Sequence, residues 1–521
     1  MKGNSTNPII EASNLGQSIW LDNMRRGFLA SGELSKLIEL GVSGLTSNPT
    51  IFEKAIAGSG DYDQALADPL VACRRSRETY EGLILDDIRA AADLLRPVYE
   101  RTGGEDGYAS LEPDPYLAHD TAGTVAEVRR LNAALNRPNV MLKVPGTPEG
   151  IPAIRELISQ GINVNVTLIF SLDAYRQVRE AYIAGLEDLA KKGGRVAGVA
   201  SVASFFVSRV DTAVDALLQE KIKRGHDELR PWLGEAAIAN SRLAYQAFKA
   251  TFASRRFAEL RARGARVQRV LWASTSVKNT AYTSLMYVES LIGRDTIDTM
   301  PNNTLTEFLD HGQVRATLEQ DAEGAERILH ALDVAGIDLG EVTDRLLADG
   351  LKAFSDSLHK LLATIEEKKT VLLTRGVAGP QSALAEHSRD VSTAMADLKL
   401  GDVPGRIWRR DYTVWKPEPD EITNRLGWLS VAELMVAQVE ALQEFAGEVR
   451  AAGFRHVVLL GMGGSSLGPE VARQAFGASE GFPQLFVLDS TIPASVLSVN
   501  RKIDPAHTLF LVSSKSGTTV E

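Results

Sequence analysis

The chain has 521 residues, of which 44% are hydrophobic and 24% charged, and its formal net charge is −10 at pH 7. This composition is that of a soluble globular protein and argues against extensive disorder, while the acidic balance disfavours nucleic acid or an anionic membrane surface as the main partner. A chain of this length exceeds what one hydrophobic core usually serves, so we expect more than one domain.

The cysteine content and the hydropathy exclude further classes of protein. Cys73 is the only cysteine, which excludes an internal disulfide framework and a cysteine-rich metal site. No apolar run approaches the ~18 residues of a membrane span, and the first residues lack the apolar core of a signal peptide. We therefore expect a cytoplasmic protein.

Short β-type runs alternate with helical patterns over the first 300 or so residues. Eight runs have strand character: SIWLD (18–22), SGLTSN (43–48), YASLE (108–112), VMLKV (140–144), INVNVTLIF (162–170), AGVASVASFF (197–206), RVLWAS (269–274) and DTIDTMP (295–301). Eight β/α alternations in this length fit a (β/α)₈ TIM barrel better than an open doubly wound sheet. Residues 303–368 predict helix throughout.

The fourth run contains a lysine among apolar residues. In VMLKV, alternation puts Val140, Leu142 and Val144 on one face and Met141 and Lys143 on the other. In a barrel the apolar face packs on the helices, so Lys143 is predicted to point into the barrel. A desolvated lysine amine can attack a carbonyl; alternatively, a lysine at a strand end reaches solvent.

Other polar residues fall on neighbouring strands. Asn163, Asn165 and Thr167 alternate with apolar residues, which predicts that one face of a central strand lines a site or satisfies its own hydrogen bonds. Asp22 and Glu112 end their strands, where catalytic groups lie in this architecture. Each of these carboxylates could instead cap a helix or be a solvated loop charge.

Residues 17 to about 300 resemble transaldolases, class I Schiff-base enzymes of the pentose phosphate pathway. The matching segments are GVSGLTSNPTIF (41–52), MLKVPGTPEGIPAI (141–154), GINVNVTLIFS (161–171), SFFVSRVD (204–211) and LWASTSVKN (271–279). The resemblance implies that Lys143 is the Schiff-base nucleophile and that Asp22 is the acid/base of carbon–carbon cleavage. It also implies that Glu112, with Thr167, holds the water that carries protons during imine formation and hydrolysis.

The resemblance further implies which residues bind the substrate. Those expected to contact the dihydroxyacetone unit are Asn48, Asn165 and Ser204, and those expected to bind the phosphate are Arg209, Ser274 and Lys278. Some family members carry arginine where this chain has Lys278. Lysine keeps the positive charge but cannot form the two parallel hydrogen bonds that an arginine guanidinium donates to a phosphate. The alternative for these three phosphate residues is that they are ordinary polar loop residues.

A second domain is predicted after a linker. The stretch 374–390 carries Gly, Pro and Ser with little periodicity, and we place a barrel domain at 1–373, a linker at 374–405 and a second domain at 406–521. The later pattern of strand, Gly-rich loop, helix and two further strands predicts the opening of an α/β domain.

The Gly-rich loop of this domain favours an anion over a dinucleotide. It follows an apolar strand and precedes a helix, but Ser466 takes the third glycine position of the dinucleotide fingerprint. A tight turn with no ligand is the alternative. A later segment, SSKSGTT (513–519), adds Ser, Lys and Thr donors at another strand end. This segment and the Gly-rich LLGMGGSSLGPE (459–470), with TNRLGWL (423–429) upstream, resemble the sugar-isomerase (SIS) fold of glucose-6-phosphate isomerase. The resemblance implies sugar-phosphate contacts by Ser465, Ser514, Lys515, Ser516 and Thr519. The resemblance puts that family's catalytic Glu, His and later basic residues beyond residue 521.

Together the resemblances predict a transaldolase barrel fused to a partial SIS-type doubly wound α/β domain. The expected reaction moves dihydroxyacetone between sugar phosphates without a metal or organic cofactor, because the lysine imine is the electron sink. The alternatives are an aldolase that releases free dihydroxyacetone and, in a different class, a sugar-phosphate-binding regulatory module, which would need an effector segment that we do not find. The expected partners are small sugar phosphates rather than nucleic acid or membrane, and the oligomeric state is open.

Overall fold

A computed structural model describes residues 7–68, 71, 74–376, 393–394, 397–398, 400–514 and 517. The chain divides into two compact units, Met1–Pro380 and Gln381–Glu521. None of the helices in the described ranges combines the length and hydropathy that crossing a bilayer requires.

The first unit contains a closed barrel of eight parallel strands, each hydrogen-bonded to the next in chain order, with the last returning to the first. The strands are β1 (Gln17–Asp22), β2 (Gly44–Thr46), β3 (Tyr108–Leu111), β4 (Val140–Pro145), β5 (Val164–Ile169), β6 (Ser201–Phe206), β7 (Arg269–Ala273) and β8 (Thr296–Met300). Closure pairs Leu21 with Met300. The predicted (β/α)₈ barrel is confirmed, and every strand lies within its predicted run or within one residue of it.

Helices surround the barrel and continue after its last strand. They are α1 (Pro8–Asn14), α2 (Arg26–Ala30), α3 (Glu33–Glu39), α4 (Pro49–Gly58), α5 (Asp63–Leu66), α6 (Ser76–Arg101), α7 (Thr121–Leu135), α8 (Gly150–Ile158), α9 (Leu172–Lys191), α10 (Ser208–Lys223), α11 (Ala236–Phe252), α12 (Arg255–Arg261), α13 (Met286–Ser290), α14 (Asn302–His311), α15 (Ala322–Val334) and α16 (Leu339–Gly376). The expectation of continuous helix over 303–368 was wrong at 335–338, between α15 and α16, and at 312–321. There Gly312 ends α14, and the Asp321 side chain caps α15 by accepting from the Gly324 amide at 2.9 Å.

Side-chain alternation explains how β4 presents its lysine. Val140, Leu142 and Val144 are buried in the hydrophobic core, and β4 packs against α7 and α8.

The close approach of β1 and β2 requires a glycine on β2. A Cβ atom on Gly44 would lie 2.3 Å from the indole ring of Trp20, its partner on β1. Only a residue without a side chain lets this ring lie against the neighbouring strand.

The second unit holds a three-stranded parallel sheet in the order β10–β9–β11. Its strands are β9 (His456–Gly461), β10 (Gln484–Leu488) and β11 (Thr508–Ser513), and its helices are α17 (Val403–Trp408), α18 (Val431–Val436), α19 (Val439–Ala451), α20 (Gly464–Phe476) and α21 (Pro493–Asn500). The strand–loop–helix opening predicted for this region is present. The linker predicted at 374–405 falls largely outside the described residues, so the domain boundaries stay a prediction.

Candidate active site

Lys143 is buried at the floor of a cavity at the mouth of the barrel. Its side chain is 6% exposed, and Nζ lies 2.9 Å from Glu112 Oε2 and donates to the Ser47 carbonyl oxygen at 3.1 Å. The cavity has a volume of about 600 Å³ and includes Lys143 in its lining. The predicted inward orientation is therefore what the structure shows, and the solvent-exposed alternative was wrong.

Asp22 lines the same cavity from the end of β1. Thr46 at the end of β2 donates to Asp22 Oδ1 at 2.7 Å, and the two residues are paired in the barrel register. Burial raises the pKa of Asp22, while the Thr46 hydrogen bond and the charges of Lys143 and Arg209 act in the opposite direction. The Thr46 hydroxyl thus fixes one oxygen of a carboxyl group that lines the cavity.

Glu112 lies on the other side of Lys143 and does not line the main cavity. Burial raises its pKa, and the nearby Lys143 charge opposes that shift. Glu112 and Lys143 instead border a void of about 20 Å³, room for a single water molecule. Thr167 lines the main cavity, and its buried Oγ1 has no hydrogen-bond partner among the described residues.

The predicted dihydroxyacetone-binding residues take different positions. Ser204 lines the cavity and donates to Asn165 Oδ1 at 2.7 Å, whereas Asn165 lies behind it and donates from Nδ2 to Ser110 Oγ at 3.1 Å. Asn48 lines the cavity wall and caps α4, because its Oδ1 accepts from the Ile51 amide at 3.0 Å. Asn165 does not line the cavity, but its hydrogen bond can position the Ser204 side chain. Ser204 and Asn48 line the cavity directly.

The three predicted phosphate residues all line the cavity. Arg209, in the first turn of α10, places its guanidinium 5.3 Å from the centre of the Phe206 ring, and burial lowers its pKa. Ser274 has a φ of 58° and its Oγ lies 3.0 Å from Ser208 Oγ, which joins the ends of β6 and β7. Lys278 is exposed in the loop that follows. One wall of the cavity therefore carries two cations and a hydroxyl, a set suited to a phosphate.

Several contacts were not anticipated from the sequence. Thr46 lies inside the segment GVSGLTSNPTIF, so its place beside Asp22 could have been found from strand register. Phe354 on α16 lines the cavity with its ring centre 5.9 Å from Lys143 Nζ, and nothing in its helical surroundings marks it. Asn163 was grouped with Asn165, but its Nδ2 donates to the carbonyl oxygens of Pro138 and Val140. Asn163 thus supports neighbouring backbone and has no part in the cavity.

The described part of the second unit places two of its predicted phosphate residues near each other in the topology. Gly461 on β9 pairs with Ser513 on β11, so the segments that follow these two strands leave the same edge of the sheet. Ser465 and Ser466 were expected in the Gly-rich loop, but α20 begins at Gly464 and places both in its first turn. Ser514 Oγ accepts from the Gly517 amide at 3.0 Å. Lys515, Ser516 and Thr519 lie outside the described residues. Across the described ranges of both units, no group of three His, Cys, Asp or Glu side chains is arranged to hold a metal ion.

Comparison with known proteins gives matches in both units. Residues 19–365 match the family model described as Transaldolase/Fructose-6-phosphate aldolase, and residues 431–521 match the one described as Phosphoglucose isomerase. The chain is 45% identical to a transaldolase of Trichodesmium erythraeum over 372 residues, which is 70% of this chain and 98% of that protein. It is 49% identical to a transaldolase of Thiobacillus denitrificans over 360 residues, 68% of this chain and 98% of the relative.

Proposed function

The chain belongs to the transaldolase/fructose-6-phosphate aldolase family, and we propose that it transfers a dihydroxyacetone unit between sugar phosphates through a Schiff base on Lys143. The proposed reaction converts sedoheptulose 7-phosphate and glyceraldehyde 3-phosphate to erythrose 4-phosphate and fructose 6-phosphate, a step of the pentose phosphate pathway in the cytoplasm. The observation that carries the proposal is a buried lysine with a carboxylate at 2.9 Å, at the floor of a sugar-sized cavity.

The first step needs an amine without its proton. Glu112 is the nearest base, and the small void beside Lys143 has room for a water that relays the proton. Nζ then attacks C2 of the ketose, the carbonyl oxygen leaves as water after protonation, and a protonated imine remains. The free Thr167 hydroxyl supports the proposal that it holds a water or the departing oxygen.

Cleavage follows on the other side of the lysine. Asp22 takes the proton of the C4 hydroxyl, the C3–C4 bond breaks, and its electrons move into the imine to give an enamine. The aldose phosphate departs, and the acceptor aldehyde is attacked by C3 in the reverse sense, with its oxygen taking a proton from Asp22. The protonated imine is the electron sink, so these steps need no metal or organic cofactor.

The remaining cavity residues bind the substrate in this proposal. Asn48 and Ser204 hydrogen-bond the hydroxyls of the three-carbon unit, and Asn165 holds Ser204 in place. Arg209, Ser274 and Lys278 bind the phosphate. The second unit matches an isomerase family of sugar-phosphate enzymes, and we propose that Ser465 and Ser514, with Lys515, Ser516 and Thr519, form a sugar-phosphate site.

Borohydride trapping tests the central step. With fructose 6-phosphate, wild-type protein should give a three-carbon adduct on the Lys143 peptide and none on Lys54 or Lys278, the other lysines that line the cavity. Lys143→Ala should give no adduct and lose at least about 10³-fold in turnover, because the covalent step has no substitute. Asp22→Asn should give a six-carbon adduct instead, since imine formation precedes cleavage.

An unmodified Lys143 peptide from active wild-type protein would refute the Schiff-base proposal. A three-carbon adduct forming on Asp22→Asn at the wild-type rate would show that another group accepts the C4 proton. The aldolase alternative is tested by omitting the acceptor: steady release of free dihydroxyacetone at the rate of transfer to erythrose 4-phosphate would favour it.

A further inference from the structure

Helix α16 places an aromatic ring over the reactive amine. Phe354 is 4% exposed, lines the cavity, and has its ring centre 5.9 Å from Lys143 Nζ. It lies in the helical region after the barrel, more than 50 residues beyond β8. The polar residues of the site all come from barrel strands and the loops or helices that directly follow them, so Phe354 is an apolar wall supplied by a separate element.

The position of this helix is fixed by contacts with α4 in the turns that follow Phe354. Ser357 Oγ lies 2.8 Å from Thr50 Oγ1, and Lys360 Nζ lies 2.7 Å from Glu53 Oε1. Gly350, one turn before Phe354, lets the helix approach the barrel closely. A Cβ atom there would lie 3.0 Å from Leu168 Cδ2. Phe354 is therefore held over the amine by a packed element.

The proposed intermediate has two fates that this wall can separate. In transfer, C3 of the enamine forms a bond to the acceptor aldehyde carbon, and the aldehyde oxygen takes a proton. In hydrolysis, C3 takes a proton, water adds to C2 of the resulting imine, and the C2–N bond breaks to free dihydroxyacetone and the lysine amine. Both fates end when water adds to C2 and breaks the C2–N bond, but only hydrolysis needs a proton at C3 and that water while the three-carbon fragment is still on Nζ.

We propose that Phe354 determines the ratio of transfer to hydrolysis by excluding bulk water from the imine on Lys143. An enclosed site protects reactive intermediates from hydrolysis, and the ring face also favours the positive charge of the protonated imine. Water reaches the imine mainly from the side of Glu112, where the void has room for about one molecule. The inference rests on the proposed function.

The test is the ratio of two rates with fructose 6-phosphate as donor: release of free dihydroxyacetone without acceptor, and transfer to erythrose 4-phosphate. Phe354→Ala should raise the release-to-transfer ratio about tenfold, because it opens the wall to solvent. Phe354→Leu keeps an apolar side chain there and should raise the ratio by less than about threefold. Leu361→Ala is the matched control, since Leu361 is fully buried on the same helix but does not line the cavity.

Each result decides the matter. A higher ratio in Phe354→Ala, with Leu361→Ala at the wild-type ratio, supports the inference. An unchanged ratio in Phe354→Ala with the Lys143 adduct still trapped overturns it, as does an equal rise in Leu361→Ala, which would indicate general loosening of α16. If Phe354→Ala does not fold, the measurement moves to Phe354→Val, which still shortens the side chain and opens the wall, and an unchanged ratio there overturns the inference. Failure to trap any adduct on wild-type Lys143 would refute the proposed function instead.

Discussion

Two buried carboxyl groups flank the same lysine but have different partners. Glu112 is paired with Lys143 at 2.9 Å, whereas Asp22 accepts from the Thr46 hydroxyl at 2.7 Å. When Lys143 gives up its proton, Glu112 loses its counter-charge in a buried place, so its tendency to take a proton rises. Asp22 keeps its hydroxyl partner throughout. The pair is thus suited to two different proton transfers.

A third buried carboxyl group, outside the cavity, predicts how stability depends on pH. Asp298 on β8 is fully buried, accepts from Thr275 Oγ1 at 2.9 Å, and has no partner for Oδ2 among the described residues. Burial raises its pKa from 3.8 to about 7, and the Thr275 hydrogen bond only partly opposes this. The folded protein therefore holds a proton that the unfolded chain loses, so this group makes the free energy of unfolding fall as pH rises from about 4 to about 7.

Asp298→Asn should remove that contribution, because the amide stays neutral and its oxygen can still accept from Thr275. The difference in Tm, variant minus wild type, should grow by at least about 2 °C between pH 5 and pH 7.5 in thermal melts. Asp295→Asn is the control. The Asp295 side chain is 53% exposed, so the difference in Tm between this variant and wild type should not change between pH 5 and pH 7.5. A flat difference for Asp298→Asn would mean that the carboxylate is ionised in the folded state.

For individual residues, the sequence predicts the direction in which a side chain points better than it predicts which residues that side chain contacts. Alternation on β4 was enough to point Lys143 inward, because the side-chain period of a strand is fixed by its backbone. The same argument grouped Asn163 with Asn165, although one supports backbone and the other holds Ser204. Phe354 could not be found, because a helical pattern predicts that a residue is buried but not which distant strand it contacts.

At the scale of elements, the loop between β7 and α13 carries Lys278 and is fastened to α10. The Tyr282 hydroxyl donates to Asp215 Oδ2 at 2.6 Å, and Asp215 Oδ1 accepts from the Gly234 amide at 2.9 Å. Gly234 has a φ of 78°, and a Cβ there would lie 2.9 Å from the Tyr282 ring. The Tyr282 ring thus packs directly on the backbone of Gly234. Helix α10, which carries Asp215 and also supplies Arg209, sets the position of the loop.

Tyr282→Phe should loosen the loop by removing one hydroxyl. KM for fructose 6-phosphate should rise by about threefold to tenfold with kcat within about twofold, because Tyr282 positions a phosphate ligand and does not touch the reacting carbons. Turnover of unphosphorylated fructose should not change. Tyr245→Phe is the matched control, since its hydroxyl donates to the Arg294 carbonyl oxygen at 2.9 Å on another part of the barrel. A loss of kcat at constant KM would contradict this role for Tyr282.

Element boundaries followed from local signals where those signals were strong. The barrel strands are short apolar runs bounded by turn residues, and their bounds were predicted to within two residues except at the start of β6, which begins four residues later than predicted. The region after β8 was predicted as one helical stretch, because residues 312–321 lack a strong breaker apart from Gly312. The structure needs that break to turn the chain between α14 and α15, a requirement set by packing and absent from the local pattern.

At the scale of the whole molecule, every proposed catalytic and substrate-binding residue of the barrel lies in the first unit. The two transaldolase relatives described above are matched over 98% of their own length by 68–70% of this chain. The matched part of this chain thus spans nearly the whole length of each of these relatives. A fragment ending at Pro380 should keep at least about half of the wild-type transfer kcat/KM, since it contains all of the described cavity lining.

The fragment should be compared with the full chain in the same transfer assay, with circular dichroism to confirm the fold. The fragment carrying Lys143→Ala serves as the inactive control. A well-folded fragment with less than a tenth of the activity would mean that the second unit contributes to catalysis. The same experiment measures whether the remaining chain affects solubility, since the second unit exposes large apolar side chains such as Leu467, Val471 and Phe476.

The Phe354 ring over the Lys143 amine has a consequence for the order in which the parts of the site form during translation. Lys143 is translated long before Phe354, by roughly 10 to 40 s at ~5–20 residues per second. Barrel closure itself waits for β8, which must pair with the first strand. A nascent chain therefore holds its nucleophile before it holds either a closed barrel or an apolar cover. The ability to retain a bound three-carbon fragment is acquired last, when α16 leaves the ribosome and docks.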